Sequence, residues 1–190
     1  MAYGIVVVGA SAGGTQGLTA LLSGLPRDFP VPVVVVLHRG RDSADTLTES
    51  LQRSSVLRVK EAQDKEPLVP GSVYLAPPDY HLLVEKDHLA LSTEGPVHWA
   101  RPSIDVLFES AADSWAAETV GVILTGAGSD GAQGLARIKR RGGLAVVQDP
   151  SEAQHRAMPD AAIAAAKVDQ ILPLKEIARF LASLCSARTG

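Results

Sequence analysis

The chain has 190 residues, of which 46% are apolar and 4% aromatic, and its formal net charge at pH 7 is −3. This composition predicts one globular domain, residues 1–190, and the low charge and few aromatic residues argue against nucleic-acid binding. The single cysteine, Cys185, excludes an internal disulfide, and no apolar run approaches the roughly 18 residues that span a bilayer. We therefore expect a cytoplasmic protein without membrane insertion.

Four β-branched runs predict parallel strands buried on both faces, because they are apolar at every position and do not alternate. These runs are residues 4–9, 31–38, 119–126 and 143–149. Helical patterns are found at residues 15–23, 45–53, 103–117 and 132–141, and a closing amphipathic helix at residues 174–184. The alternation of strands and helices predicts an α/β sheet with right-handed crossovers.

The middle of the chain breaks this alternation. Residues 71–92, GSVYLAPPDYHLLVEKDHLALS, predict short strands with a turn near Lys86 and Asp87, which we interpret as an antiparallel hairpin extension. Residues 150–168 predict a loop with two short helical pieces. Neither an internal repeat nor a linker long enough to separate domains is found.

The first strand ends in a loop of glycines and small residues, GASAGG, at residues 9–14. Gly9 and Gly14 have the separation of the outer glycines in the dinucleotide-binding motif G-x-G-x-x-G. Ser11, however, occupies the middle position, where a side chain obstructs the pyrophosphate, and His38 ends the second strand where an acidic residue would bind ribose. No Gly-Lys-Ser/Thr sequence follows, so nucleotide binding is the less favoured interpretation.

The same loop also contains G-x-S-x-G from Gly9 to Gly13, which is typical of a serine nucleophile on a sharp strand-to-helix turn. A turn of small residues with a purely structural use is the competing interpretation. The carboxyl ends of neighbouring parallel strands meet at one rim, so His38 is placed to act as a base for Ser11. Asp130, in the glycine-rich turn after the third run, either orients that histidine or caps the helix that follows. The order Ser, His, Asp differs from that of α/β-hydrolases.

Together these segments resemble the catalytic domain of the chemotaxis protein-glutamate methylesterases, the CheB family. The resemblance covers nearly the whole chain and includes VVGASAGG, VVVLH, RPSIDVLFESAA, LTGAGSDGAQGL and QDPSEAQHRAMPDAAI. It implies a doubly wound, mostly parallel sheet and hydrolysis of γ-glutamyl methyl esters on chemoreceptor helices, with glutamine deamidation as a related activity. It also implies Ser11 as nucleophile, His38 as base and Asp130 as the orienting acid. The backbone N–H groups of Ala12 and Ala127 would form the oxyanion hole.

Four residues depart from the family's usual pattern. Ala12 stands in place of a threonine, Arg39-Gly40 follows the histidine in place of Met-Pro, and Ala127 replaces a methionine. Well-known family members carry an N-terminal receiver domain, whereas this sequence begins at the first strand of the catalytic domain. We therefore expect any control by phosphorylation to come from a separate receiver protein.

No cofactor and no metal ion are expected. The remaining histidines lack H-x-x-x-H spacing and accompanying cysteines. They are His81, His88, His98 and His155.

The sequence indicates the substrate and the partner less clearly than the type of reaction. Arg39, Arg41 and Arg101 could contact an acidic receptor surface, although solvated surface charge is the favoured interpretation. Two alternatives to a chemoreceptor methylesterase stay open, because a fold does not define a substrate. One is a serine esterase or amidase with a different substrate, and the other is a non-catalytic adaptor.

Overall fold

A computed structural model of the chain describes residues 3–38 and 44–186. The strands in these residues are β1 (Ile5–Ala10), β2 (Val33–Leu37), β3 (Arg58–Glu61), β4 (Ser72–Leu75), β5 (His81–Val84), β6 (Leu89–Ser92), β7 (Thr119–Ile123), β8 (Leu144–Gln148) and β9 (Gln170–Leu172). The helices are α1 (Gly14–Ser23), α2 (Ala44–Ser54), α3 (Ile104–Trp115), α4 (Ala132–Arg140), α5 (Ala157–Ala165) and α6 (Leu174–Ser186). None of the helices in these ranges is long and apolar enough to cross a lipid bilayer.

Seven strands form one sheet in the order β3-β4-β2-β1-β7-β8-β9, and all neighbouring pairs are parallel. β5 and β6 form a separate antiparallel pair, with Lys86 and Asp87 in the turn between them. The predicted architecture, a mostly parallel sheet with an antiparallel hairpin, is therefore confirmed. Within the segment 71–92, however, only the second half forms the hairpin. Ser72–Leu75 joins the large sheet instead, because all four of its residues are buried between two helical layers.

The two faces of the sheet are covered by different helices, as in a doubly wound fold. Along β1, Val6 and Val8 face a core that includes the apolar side chains of α1, α2 and α6. Ile5 and Val7 face the opposite core, to which α3, α4, α5 and the hairpin contribute. A strand buried on both sides in this way must be apolar at every position, which is the pattern found in the sequence.

Three elements differ from the sequence-based expectation. Residues 150–168 contain one helix, α5, and not two short pieces. The strands β3 and β9 were not predicted at all. Both are short and partly exposed at the outer edges of the sheet, so they carry no continuous apolar run.

The loops after β1 and β7 lead in opposite directions. The loop after β1 continues into α1 on one face of the sheet, and the loop after β7 continues into α4 on the other face. Because β1 and β7 are neighbours, the two loops separate and leave a crevice at the carboxyl ends of the central strands. Open α/β sheets bind their ligands at such a point.

Candidate active site

Ser11 lies directly after β1, at the start of the turn that leads into α1. Its N–H donates to the carbonyl of Thr125 after β7, at 3.1 Å, and its own carbonyl accepts from the Gly14 N–H at 2.7 Å. Gly13 has a φ of 75°, a left-handed conformation that glycine adopts at little cost. The half-buried Ser11 borders a cavity of about 540 Å³ together with His38.

Gly9, the residue before the last of β1, allows α3 to approach the carboxyl end of that strand. A Cβ atom at this position would lie 2.4 Å from Cγ2 of Ile104, the first residue of α3. The absence of a side chain therefore allows the N-terminus of α3 to pack directly on β1. Gly9, the first glycine of the G-x-G-x-x-G pattern, is thus accounted for by helix packing, without a bound nucleotide.

His38 follows the last residue of β2 and is held beside β1. Its backbone N–H donates to the carbonyl of Ala10 at 3.0 Å, which extends the pairing of the two strands by one residue. Its side chain is 22% exposed, and Nε2 lies 2.7 Å from Oδ2 of Asp130. A carboxylate accepts hydrogen bonds, so the imidazole carries its proton on Nε2 and Nδ1 is left as an acceptor.

Asp130 is almost completely buried, with 5% of its side chain exposed. Besides His38, its carboxylate accepts hydrogen bonds from three groups at the start of α3: the Ser103 hydroxyl and the backbone N–H groups of Ile104 and Asp105, at 2.7–2.9 Å. The helix that follows Asp130, α4, has Gly131 as its N-cap residue and no side-chain cap. The interpretation that Asp130 caps the following helix is therefore wrong, because it caps α3 instead.

These contacts determine the charge on Asp130. Burial by itself raises the pKa of a carboxyl group, but the hydrogen bonds from His38 and from the Asp105 and Ile104 N–H groups outweigh it. The pKa of Asp130 consequently lies below its ordinary value, and the carboxylate is ionised at neutral pH. The partial positive charge at the N-terminus of α3 acts in the same direction.

Asp105, at the start of α3, forms a second contact between α3 and α4. Its carboxyl group accepts a hydrogen bond of 2.7 Å from the N–H of Gly134 in the first turn of α4. Burial raises the pKa of Asp105 from 3.8 to about 6, and the negative charges of Asp130 and Glu109 add to this effect. The Gly134 N–H and His98, whose Nε2 lies 3.8 Å from the carboxylate, lower the pKa by less.

We expect Asp105 to make the protein less stable as the pH rises. Because its folded-state pKa of about 6 is above the unfolded value of 3.8, the folded state binds the proton more tightly. The free energy of unfolding should fall between these pH values by at most about 3 kcal/mol. Asp105→Asn keeps an acceptor for Gly134 without the ionisation, so relative to wild type it should gain stability from pH 4 to pH 7.5 in urea unfolding.

Asp113→Asn is the matched control for this measurement. Hydrogen bonds from Arg137 and Arg141 lower the pKa of Asp113, so its replacement should change stability in the opposite sense with pH, and only weakly because the group is exposed. An Asp105→Asn variant whose stability difference from wild type did not change with pH would contradict the prediction.

A buried histidine supports the cap of α3 from behind. His81, 1% exposed, accepts a hydrogen bond at Nδ1 from the Ser103 N–H, at 3.2 Å, and donates from Nε2 to the Gly95 carbonyl, at 3.0 Å. The chain of contacts from His81 through Ser103 and Asp130 to His38 is thus continuous. Sequence reasoning missed this role of His81, because a buried histidine has no periodic signal and its partners are 14 and 22 residues away.

The two residues expected to stabilise an oxyanion lie at the same rim. Ala12 follows Ser11, and its carbonyl accepts a hydrogen bond from the Thr125 hydroxyl. Ala127 borders a second cavity of about 350 Å³ together with His38 and Asp130. Within residues 3–38 and 44–186, the N–H groups of Ala12 and Ala127 have no hydrogen-bond acceptor, and the Ser11 hydroxyl and His38 Nδ1 are likewise not hydrogen-bonded.

The three arginines considered as receptor contacts are not shown to line the site. Arg101 donates to the carbonyls of Thr93 and Glu94, and Arg39 and Arg41 lie outside the described residues. In the part of the chain that the structure describes, no group of three or more His, Cys, Asp or Glu side chains could hold a metal ion.

This arrangement can be compared with known proteins. The family model described as CheB methylesterase matches residues 6–181. The chain belongs to the CheB methylesterase family. The crystal structure of the Thermotoga maritima CheB methylesterase catalytic domain superimposes with a TM-score of 0.93 at 34% identity, covering 97% of this chain and all of that one. The family's fold is therefore the fold described above.

Relatives of known sequence agree with this assignment. A protein of Leptospira interrogans is 47% identical over 185 residues, which are 97% of this chain and 96% of that protein. Protein-glutamate methylesterase/protein-glutamine glutaminase 1 of Carboxydothermus hydrogenoformans is 40% identical over 94% of this chain. The corresponding protein 3 of Pseudomonas aeruginosa is 42% identical over 95%. The chain spans about half the length of these last two relatives, 54% in each case.

Proposed function

We propose that the protein is a serine hydrolase that removes methyl groups from γ-glutamyl methyl esters of chemoreceptors. The observation that supports this most directly is the hydrogen bond of 2.7 Å between His38 Nε2 and the buried Asp130 carboxylate, because His38 borders the same cavity as Ser11. The names of the relatives, protein-glutamate methylesterase/protein-glutamine glutaminase, support the substrate class. Substrates on the cytoplasmic helices of receptors would place the protein in the cytoplasm.

In the proposed mechanism, Ser11 Oγ attacks the ester carbonyl while His38 Nδ1 takes the hydroxyl proton. The N–H groups of Ala12 and Ala127, which have no acceptor among residues 3–38 and 44–186, stabilise the negative charge on the carbonyl oxygen. A donor of this kind contributes roughly 3–4 kcal/mol in other hydrolases. The carbon–methoxy bond then breaks, and His38 transfers its proton to the departing methoxide to give methanol.

The second half of the reaction repeats these roles with water. His38 takes a proton from a water molecule as the water oxygen attacks the acyl-enzyme, and the proton passes to Ser11 Oγ when the ester bond to the serine breaks. The product is a free glutamate. Asp130 keeps the proton of the resting imidazole on Nε2 and stabilises the imidazolium in both halves. No hydrogen bond joins Ser11 to His38 in the free protein, and such contacts often tighten only in the substrate complex.

The same groups can act on a glutamine side chain. The attack and the oxyanion are unchanged, and His38 protonates the departing amide nitrogen, which leaves as ammonia. Deamidation is therefore the second candidate activity, favoured by the glutaminase part of the relatives' names.

We expect the purified chain to release methanol from membranes that contain methylated chemoreceptors. Methanol should be measured over time, with p-nitrophenyl acetate as a second substrate that tests the chemistry without the receptor. Turnover of p-nitrophenyl acetate without methanol release would favour an esterase with another substrate. Activity on neither substrate would favour the adaptor alternative and contradict the proposal.

A further inference from the structure

The side chain of Trp99 is 100% exposed, although tryptophan is among the most buried residue types on average. The other tryptophan of the chain behaves in the usual way. Trp115 packs against the apolar core, donates from its indole to the Glu85 carbonyl and lies under the ammonium group of Lys86. A single exposed apolar residue is not by itself evidence of a binding site. The backbone conformation and the position of Trp99 give the further evidence.

Trp99 is displayed by an unusual tight turn. Val97 and Ala100 exchange two backbone hydrogen bonds, at 3.0 and 2.9 Å, and only His98 and Trp99 lie between them. Both residues have positive φ, 48° and 65°. This conformation favours Asn and Gly and is disfavoured for residues with larger side chains. A strained turn that presents an indole to solvent is a feature that folding alone does not require.

The segment that carries the turn is firmly held. Arg101 donates to the carbonyls of Thr93 and Glu94, at 3.0 and 3.1 Å, and the buried His81 donates to Gly95. The segment is therefore anchored on both sides of Trp99. A contact surface on an ordered segment loses little conformational entropy when a partner binds, which favours its use in recognition.

The turn also forms one wall of the site. His98, Trp99 and Ala100 border the cavity of about 350 Å³ that contains His38, Ala127 and Asp130. The volume of this cavity is within the range of small-molecule sites, so a small ester needs no surface beyond it. A glutamyl ester on a protein helix brings the neighbouring side chains of that helix to the rim, because residues three and four positions apart lie on the same face.

We propose that Trp99 is a specificity-determining residue that contacts the protein substrate. Its indole packs against an aliphatic side chain on the same face of the receptor helix as the methyl ester. This inference rests on the proposed function, since it assumes a helical protein substrate. The preference of tryptophan for energetically dominant positions in interfaces agrees with this role.

The test compares a protein substrate with a small ester. Trp99→Ala should lower kcat/KM for methanol release from a soluble, methylated cytoplasmic receptor fragment by roughly 30-fold, mainly through KM. Turnover of p-nitrophenyl acetate should fall much less, because a small ester makes no contact beyond the cavity, and Trp99→Phe should restore much of the loss on the receptor fragment. Ile171→Ala is the matched control, because Ile171 is 47% exposed on the edge strand β9 and borders neither cavity.

Three results would overturn the inference. Equal losses on both substrates would mean that Trp99 shapes the catalytic cavity and does not contact the protein. Unchanged kinetics with both substrates would mean that it contributes nothing. A shift from dimer to monomer in Trp99→Ala, with unchanged KM, would mean that a second copy of the chain covers the indole.

A binding measurement separates this inference from the proposed function. In the Ser11→Ala background, tryptophan emission should shift to shorter wavelength on titration with the receptor fragment, and the shift should be absent when Trp99 is also replaced by Phe. If wild type releases no methanol, the methylesterase proposal fails, yet the titration still reports whether Trp99 contacts the fragment. If methanol is released and emission does not change, only the Trp99 inference fails.

Discussion

Replacing Ser11 with alanine is expected to lower kcat for methanol release by about 10⁶, as removal of the nucleophile does in serine hydrolases of known mechanism. No other group in the proposed mechanism can form the acyl-enzyme. Without the Ser11 hydroxyl, His38 has no nucleophile from which to remove a proton. The fold should not change, because both backbone hydrogen bonds of Ser11 are retained in the variant. The measurement is single-turnover methanol release with equal amounts of folded wild type and variant.

Ser23→Ala is the matched control for this prediction. Ser23 is the last residue of α1, the helix that follows Ser11, and its hydroxyl donates to the carbonyl of Ala20. Its replacement should leave turnover unchanged. Hydrolysis by Ser11→Ala at a rate close to wild type would exclude an acyl-enzyme at this position and would favour direct attack by water.

Asp130→Asn is expected to lower kcat by about 10⁴, the loss found when the carboxylate of a known Ser-His-Asp triad becomes an amide. The structure explains why an amide cannot replace this carboxylate. Oδ1 accepts from the Ser103 hydroxyl and the Asp105 N–H, and Oδ2 accepts from the Ile104 N–H and His38. An amide has one oxygen, so in either orientation its NH₂ group opposes one of these backbone N–H groups.

The orientation of the amide also decides the tautomer of His38. With the NH₂ group in the place of Oδ2, Nε2 must accept, and the imidazole proton moves to Nδ1, where it prevents proton transfer from Ser11. With the oxygen in that place, the contact to His38 remains but the N–H of Asp105 loses its acceptor. Both orientations therefore predict a loss in stability, because the N–H of Ile104 or of Asp105 loses its acceptor, and only the first orientation also predicts the loss in kcat.

Both quantities should therefore be measured, by methanol release and by urea unfolding. Asp113→Asn, which removes a carboxylate from the exposed face of α3, is the control and should retain wild-type turnover. A stable Asp130→Asn variant with wild-type kcat would show that Asp130 is only a helix cap. In that case another carboxylate would have to orient His38.

The positions of Ser11 and His38 could be predicted from sequence because they depend on short-range patterns. Each follows a continuous apolar run, and parallel strands place such positions at one edge of the sheet. The structure agrees: β1 and β2 are neighbours, and the N–H of His38 donates to Ala10, the residue before Ser11. The central strands and most helices were predicted for the same reason, since their periodicity is contained within each segment.

The contacts of Asp130 with α3 could not be predicted in this way, although its contact with His38 was one of the two interpretations of its position. In the sequence it stands immediately before α4, and a short-range rule assigns it to the cap of that helix. Only packing of α3 on β1, which Gly9 permits, brings the N-terminus of a helix 26 residues earlier in the chain to the carboxylate. The raised pKa of Asp105 and the role of His81 likewise arise from burial between elements that are distant in sequence.

The sequence by itself therefore determined the α/β class, the central parallel strands and the two strand ends that carry a hydroxyl and an imidazole. These features follow from local periodicity and from the common direction of parallel strands. The tertiary structure decided which helix Asp130 caps, which imidazole nitrogen it holds and that Trp99 stands exposed beside it. Hydrogen bonds between distant segments and the exposure of a side chain depend on how the elements pack, and no single segment contains that information.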